Sequence, residues 1–154
     1  MIKESKKAPD FSLVDQDGEM HTLSDYKGQW VLVYFYPRDN TPGCTVEACK
    51  IRDNWPDFEE LSLKVFGISG DTVKSHFGFV KKHNLPFTLL SDPEKLVIDN
   101  YGALREKSMF GKTYMGIHRM SVLVNPKGKI AKIYETVKPD QHASEVLNDL
   151  RSLV

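Results

Sequence analysis

Apolar residues occur along this 154-residue chain in short runs that alternate with stretches of helical spacing. The run from Trp30 to Tyr36 predicts a buried strand, which Pro37 ends. Residues 63–68 and 87–90 predict two further strands of the same kind. Apolar strands joined by longer polar segments are typical of a sheet whose connections are helices.

Four segments outside these strands predict helices. The first begins at Thr41-Pro42 and ends or bends near Trp55-Pro56. The second covers residues 72–83 after Asp71 as its cap, and the third runs from Asp92 to Tyr101 before a Gly102 stop. The fourth covers residues 140–153. The apolar positions that we expect to be buried are Val73, Phe77 and Val80 in the second helix and Ala143, Val146, Leu147 and Leu150 in the fourth.

Two turn signals predict hairpins at either end of the chain. Asp17-Gly18 separates residues 11–14 from 20–23, and the turn at 125–128 separates residues 120–124 from 129–134. The Gly- and Lys-rich segment 105–117 is predicted to be a loop.

The order of elements predicts the fold class. A strand–helix–strand unit is followed by a helix, an antiparallel hairpin and a final helix, so a central mixed β-sheet flanked by helices is the natural packing. This order matches a thioredoxin-like α/β fold with an N-terminal β-hairpin. Its length suits one domain covering residues 1–154.

Composition excludes several classes of function. Lys+Arg and Asp+Glu both number 21, and a net charge of zero argues against nucleic-acid binding through phosphates. No apolar stretch approaches the roughly 18 residues of a membrane span, and the N-terminus has no apolar signal core. We therefore expect a cytoplasmic protein without membrane association. Two cysteines are too few for a disulfide scaffold and indicate catalytic, redox or metal chemistry.

Cys44 lies where a helix is predicted to begin. Thr41 is a favourable N-cap residue, and Pro42 suits the first helical position because its missing N–H costs nothing there. Cys44 then falls in the first turn, where free N–H groups and the helix dipole favour negative charge. A cysteine in such a position is favoured as a thiolate, which is the nucleophilic form.

Cys49 follows five residues later and leaves several interpretations open. In an unbroken helix the two Cα atoms would be roughly 8 to 9 Å apart, whereas a disulfide needs about 4.4 to 6.8 Å. A bond between them therefore requires local unwinding. Alternatively, the cysteines are small buried apolar residues or metal ligands. A zinc site would want a second pair, a thioredoxin-type reductase has two residues between its cysteines, and Arg52 is too far along for a phosphatase loop. The five histidines are scattered and more typical of surface or core positions than of ligands.

Several motifs together resemble one family. Tyr36-Pro37, Thr41-Pro42-Gly43-Cys44-Thr45, Glu47 and Cys49 are similar to the peroxiredoxins, and most similar to the bacterioferritin comigratory protein or peroxiredoxin Q subgroup. The likeness runs nearly end to end. Its other segments are Ala8-Pro9-Asp10-Phe11, Gly67-Ile68-Ser69, the run from Phe87 to Asp92, the run from Gly111 to Tyr114, and Gly116-Ile117-His118-Arg119.

This resemblance implies a role for each matching residue. Cys44 would be the peroxidatic cysteine, Thr41 would donate its hydroxyl to the bound peroxide, and Pro42 would shield the thiolate. Arg119 would reach the site from a distant strand. Cys49 would be the resolving cysteine, so that a Cys44–Cys49 disulfide is implied.

Glu47 follows Cys44 by one helical turn, on roughly the same face. It is a candidate to hold Arg119 near the substrate, although a solvated helix glutamate is an equally open interpretation.

The expected activity is that of an antioxidant thiol peroxidase acting on hydrogen peroxide and organic hydroperoxides. Thioredoxin or a similar dithiol protein would recycle it, no cofactor or metal is expected, and the resemblance favours a monomer. A redox sensor built on the same cysteines is the main alternative, and catalytic turnover of peroxide would distinguish the enzyme. Stoichiometric metal retention would instead indicate a metal-delivery protein.

Overall fold

The computed structural model describes all of residues 1–154 and contains nine strands and five α-helices. The strands are β1 (Ser12–Asp15), β2 (Met20–Thr22), β3 (Val31–Phe35), β4 (Lys64–Ser69), β5 (Thr88–Ser91), β6 (Leu104–Met109), β7 (Lys112–Ile117), β8 (Met120–Val124) and β9 (Ile130–Tyr134). The helices are α1 (Pro42–Asp53), α2 (Trp55–Glu60), α3 (Val73–His83), α4 (Leu96–Asn100) and α5 (His142–Leu153).

Seven strands form one mixed sheet in the order β2-β1-β5-β4-β3-β8-β9. Strand β3 is central, parallel to β4 and antiparallel to β8, while β1 and β2 form the N-terminal hairpin. Helices on both faces complete the thioredoxin-like arrangement, so the predicted fold class is confirmed. None of the helices is long and apolar enough to cross a membrane.

Every residue of β3 is buried because each face of the central strand is covered. Leu32 and Tyr34 point into a core that includes side chains of α1, α2, α3 and α5. Val31, Val33 and Phe35 point into the opposite core, against α4 and the residues around it. The strand therefore ends at a fixed position between two packed layers, and the loop that leads to α1 starts from there.

Most of the predicted elements are confirmed within a few residues. The first helix ends at Asp53 and the chain bends at Asn54 before α2, as the Trp55-Pro56 pair predicts. The buried face of α5 contains all four residues predicted for it.

Predictions for three segments of the chain were wrong in part. The segment 105–117 is not a loop: β6 and β7 pair as a separate hairpin around Phe110-Gly111, both of which have positive φ. The third helix starts at Leu96 rather than Asp92, although the Asp92 carboxylate still accepts from the Ile98 N–H at 2.9 Å.

The second helix also differs from its prediction. Its cap is Thr72, whose hydroxyl accepts from the Ser75 N–H, and not Asp71. His76 and Phe79 are its buried residues, whereas Phe77 is 48% exposed. The buried face is rotated because His76 has buried polar partners that a purely hydrophobic pattern does not reveal.

Gly67 in β4 supplies the space for the Tyr34 ring. A Cβ at Gly67 would lie 2.6 Å from Tyr34 Cζ and 2.8 Å from Leu89 Cδ2. We expect Gly67→Ala to lower the free energy of unfolding by about 1 to 3 kcal/mol through overpacking. Gly78→Ala is the matched control, since its helical site is open and should gain about 0.5 to 1 kcal/mol. Urea denaturation measures both, and equal stability of the two variants would contradict the packing described here.

Candidate active site

Helix α1 begins as the Thr41-Pro42 pair predicts. Thr41 has extended backbone angles at the N-cap, and Pro42 occupies the first turn. The Thr45 N–H donates to the Thr41 carbonyl at 2.9 Å, whereas the N–H groups of Gly43 and Cys44 have no backbone acceptor. These two free N–H groups lie at the positive end of the helix dipole, so they can bind an anionic oxygen.

The Thr41 side chain does not make the usual cap hydrogen bond. Its Oγ1 donates instead to the Arg38 carbonyl at 3.0 Å. The hydroxyl hydrogen is therefore directed at the loop before the helix. The oxygen lone pairs remain free to accept a hydrogen bond from another group.

One guanidinium joins the thiol of Cys44 to a carboxylate. Arg119 Nη2 lies 3.3 Å from Cys44 Sγ, and its Nη1 donates to Glu47 Oε1 at 2.7 Å. Cys44 and Glu47 are 2% and 1% exposed, whereas Pro42, beside them in sequence, is exposed. The structure thus brings Cys44, Glu47 and Arg119 together in a largely buried site.

The register of the sheet explains how Arg119 reaches Cys44, which lies 75 residues before it in the chain. Met120 pairs with Phe35 in the antiparallel contact between β8 and β3. Arg119 therefore lies beside the end of β3, where the chain turns towards α1. The guanidinium passes close to Gly43: a Cβ there would lie 3.0 Å from Arg119 Nη2. Glycine at this position leaves room for the ion pair.

Burial and charge shift the ionisation of this site in opposite directions. Burial raises the pKa of Glu47 from 4.5 to about 7, although the Arg119 guanidinium acts to lower it. Burial alone would lower the pKa of Arg119, but the charges of Glu47 and Cys44 outweigh it and raise that pKa. Arg119 is therefore permanently charged, and it contacts two groups that can carry negative charge, Glu47 and Cys44.

Two buried polar atoms near this site have no hydrogen-bond partner, Glu47 Oε2 and the Tyr34 hydroxyl. Burial, followed by the charges of Glu47 and Cys44, raises the pKa of Tyr34 well above its usual range. Tyr34 is therefore neutral and forms part of the apolar wall behind the thiol.

Cys49 lies further along the same unbroken helix and is partly exposed, and both thiols are free. The helical geometry of this conformation holds the two cysteines too far apart to bond. With both thiols free the segment is helical, and a bond between them would require the local unwinding expected from their spacing.

Lys107 near this site was not found from the sequence. It lies on β6, in the segment predicted to be a loop, and its Nζ donates to the Ile117 carbonyl. Burial and then the Arg119 charge lower the pKa of Lys107, while Cys44 opposes them. Only the pairing of β6 with β7 reveals that this lysine faces the active site.

Residues 5–133 match the AhpC/TSA family, in agreement with the resemblance of the motifs. The chain belongs to this peroxiredoxin family. It is 47% identical over 149 residues to a putative Bcp peroxiredoxin of Coxiella burnetii, covering 97% of this chain and 99% of the relative. It is also 47% identical over 150 residues to peroxiredoxin Bcp of Escherichia coli K12, covering 97% and 96%.

Solved structures agree with these relatives. A structure of the Xanthomonas campestris bacterioferritin comigratory protein superimposes on this chain with a TM-score of 0.92. That structure was determined to study alkyl peroxide reduction by the X. campestris protein. Its sequence is 34% identical, and the match covers 98% of this chain and 99% of that one. This peroxiredoxin is therefore a thiol-dependent peroxidase with a thioredoxin-like fold.

The raised pKa of Glu47 makes stability depend on pH. Since the folded-state pKa exceeds that of the unfolded chain, the protonated group stabilises the fold fully below about pH 4.5 and this contribution is lost as the pH rises through about 7. Relative to Glu47→Gln, which cannot ionise, the peroxiredoxin should lose about 3 kcal/mol between about pH 4.5 and about pH 8.

Urea denaturation of the reduced proteins across this range measures the difference. Glu60→Gln on the exposed side of α2 is the control and should keep the original pH profile. Parallel profiles for the Glu47→Gln variant and the unmodified protein would refute the assignment.

Proposed function

We propose that Cys44 is the peroxidatic cysteine and that Cys49 resolves its oxidised form in the same chain. The observation that carries this proposal is the Arg119 guanidinium, 3.3 Å from Cys44 Sγ at the start of a helix. Positive charge and free N–H groups are what a thiolate nucleophile and a developing oxyanion both need.

In the first step, the Cys44 thiolate attacks one oxygen of the peroxide. A sulfur–oxygen bond forms, the oxygen–oxygen bond breaks, and the departing oxygen takes a proton to leave as water or alcohol. Cys44 is oxidised to the sulfenic acid. The free N–H groups of Gly43 and Cys44 and the Arg119 guanidinium stabilise the negative charge on the departing oxygen.

Thr41 and Glu47 position the reacting groups and form no covalent bond during the reaction. Because the Thr41 proton is held by the Arg38 carbonyl, its oxygen accepts the hydrogen bond of the incoming peroxide. This differs from the donor role that the resemblance implies. Glu47 orients Arg119 through the 2.7 Å contact, and the exposed Pro42 borders the entrance to Cys44.

In the second step, the Cys49 sulfur attacks the Cys44 sulfenic sulfur and releases water. The resulting Cys44–Cys49 disulfide is reduced by thiol–disulfide exchange with thioredoxin or a similar dithiol protein. Since both cysteines belong to one chain, catalysis needs no partner subunit, and we propose a monomer. Dependence on a dithiol reductant suits a reducing compartment, the cytoplasm.

The substrates are hydrogen peroxide and organic hydroperoxides. The similarity to the X. campestris protein, whose alkyl peroxide reduction has been studied structurally, supports the organic class.

Arg119→Lys should lower kcat/KM for hydrogen peroxide by about 100-fold, because a single ammonium cannot bridge Glu47 and Cys44 as a guanidinium does. Steady-state assays with a thioredoxin system measure the loss. Arg105→Lys is the control: this arginine pairs with the exposed Glu135 and should retain activity. An unimpaired Arg119→Lys variant would remove Arg119 from the mechanism.

One equivalent of peroxide should remove both free thiols and two hydrogen atoms from the protein without forming a covalent dimer. Because the helix must unwind for the sulfurs to meet, amide exchange across α1 should accelerate in the oxidised form. Thiol titration, intact mass and hydrogen exchange measure these changes.

Cys49→Ser is the matched variant for that experiment. It should reduce one equivalent of peroxide, keep α1 protected and fail to recycle through thioredoxin. Steady turnover by Cys49→Ser at the original rate would show that Cys49 is not the resolving residue.

A further inference from the structure

Asp39, in the loop between β3 and α1, is a buried carboxylate with four hydrogen bonds. It is 5% exposed. Its Oδ1 accepts from the Tyr36 hydroxyl at 2.6 Å, and its Oδ2 accepts from Ser75 Oγ at 2.8 Å and from His76 Nδ1 at 2.7 Å. Its backbone N–H donates to Asp71 Oδ2 at 2.8 Å. Both the backbone and the side chain of this loop residue are therefore fixed.

The His76 ring faces an acceptor at each nitrogen. Its Nε2 lies 3.0 Å from the Leu90 carbonyl oxygen, which can only accept, so Nε2 carries a proton. Its Nδ1 faces the Asp39 carboxylate. Burial raises the pKa of Asp39, but the hydrogen bond and the charge of His76 outweigh it and lower that pKa. Asp39 is thus an anion, and its carboxylate pairs with the buried His76 ring.

Hydrogen bonds already occupy the atoms that could hold a metal ion here. Ligand atoms of Asp39, Asp71 and His76 lie within 4.8 Å of one another. However, both ring nitrogens of His76 are within hydrogen-bond distance of acceptors, the Asp39 carboxylate and the Leu90 carbonyl oxygen. Asp71 Oδ2 is likewise occupied by the Asp39 N–H and by Ser69 Oγ. The cluster is a buried ion pair with hydrogen-bonded supports.

The ion pair lies two residues before Thr41. Asn40, between Asp39 and Thr41, has a φ of 63°. The carbonyl of Arg38, just before Asp39, accepts a hydrogen bond from Thr41 Oγ1 at 3.0 Å. The direction of that carbonyl depends on the backbone of residues 38–40, which Asp39 ties to α3 and to Asp71 in the connection between β4 and α3. A shift of the Asp39 backbone would therefore move the acceptor that orients the Thr41 hydroxyl.

We propose that the Asp39–His76 ion pair is a positioning element for peroxide reduction, because it holds the loop that orients the Thr41 hydroxyl beside Cys44. The inference rests on the proposed roles of Thr41 and Cys44. It assigns to His76, on α3, an influence on catalysis without any contact with the substrate.

Two reactions of Cys44 separate positioning from general structural support. Reaction with hydrogen peroxide requires the oriented Thr41 hydroxyl, whereas alkylation by iodoacetamide requires only an accessible thiolate. Asp39→Asn keeps the size of the side chain and removes the charge that pairs with His76. We expect its second-order rate with hydrogen peroxide to fall by about 10- to 100-fold. Its Cys44 alkylation rate, read by peptide mass mapping, should stay within about twofold of the original.

Matched variants control the comparison. Asp149→Asn changes a carboxylate that also accepts from a tyrosine and a cation, Tyr134 and Lys132, but in a different part of the fold. It should leave both rates unchanged even if it lowers stability. Ser75→Ala removes one of the three donors that hold the Asp39 carboxylate, so the pair is held less firmly although both of its members remain. It should fold if Asp39→Asn does not, and its peroxide rate should fall by about threefold with unchanged alkylation.

Equal loss of both rates in Asp39→Asn, or no loss of either, would overturn the inference. In the event that Asp39→Asn does not fold, an unchanged peroxide rate in Ser75→Ala would overturn it. Failure of the underlying mechanism gives a different pattern: Thr41→Val would then reduce peroxide at the original rate, or Cys44→Ser would remain active.

Discussion

A single guanidinium between two buried acids is the interaction on which this site depends. The Arg119 guanidinium contacts the Cys44 sulfur and the Glu47 carboxyl group at once, and neither acid is more than 2% exposed. Burial of one uncompensated anion costs several kcal/mol, so two such groups on one helix face would not be tolerated without the arginine. The space for that arginine comes from Gly43, and its approach comes from the pairing of β8 with β3. The start of α1, Gly43 and the register between β8 and β3 therefore all contribute to placing the Arg119 charge beside the two buried acids.

The same arrangement supports the proposed unwinding of α1 after oxidation. Its buried side chains are Cys44, Glu47, Ala48 and Ile51, so only two are ordinary apolar core residues. Burial of Ile51 contributes about 1.5 to 3 kcal/mol, and an isolated helix of this length is marginal in water. In the proposed mechanism, conversion of the Cys44 thiolate to a neutral sulfenic acid removes negative charge beside Arg119. The helix would then lose electrostatic support at the end where the proposed disulfide forms.

How far the sequence predicts this structure depends on the range of the interactions involved. Strand β3, the start of α1 and the buried face of α5 follow from local patterns, and all were predicted. The hairpin at 104–117 was missed because Met109 and Phe110 are exposed and its turn lacks the usual Asn or Asp. The sequence left His76 as a surface or core residue, and its pairing with Asp39 was missed because the two residues are 37 positions apart. The reach of Arg119 to Cys44 required a family resemblance, since no local signal reports the register between β8 and β3.

The two sides of Thr41 differ in how firmly they are held, and this difference limits the conformational change. Upstream, the Asp39 carboxylate and backbone N–H make four hydrogen bonds to buried or partly buried groups. Opening that segment would leave the buried Asp39 carboxylate and the His76 ring without their partners, which costs free energy. Downstream, α1 has little apolar burial to lose. Local opening follows the lowest free-energy route, so we expect the proposed unwinding to begin after Thr41 and extend towards Cys49. The loop that orients the Thr41 hydroxyl would then stay in place, and the helix would re-form from it when the thiols are restored.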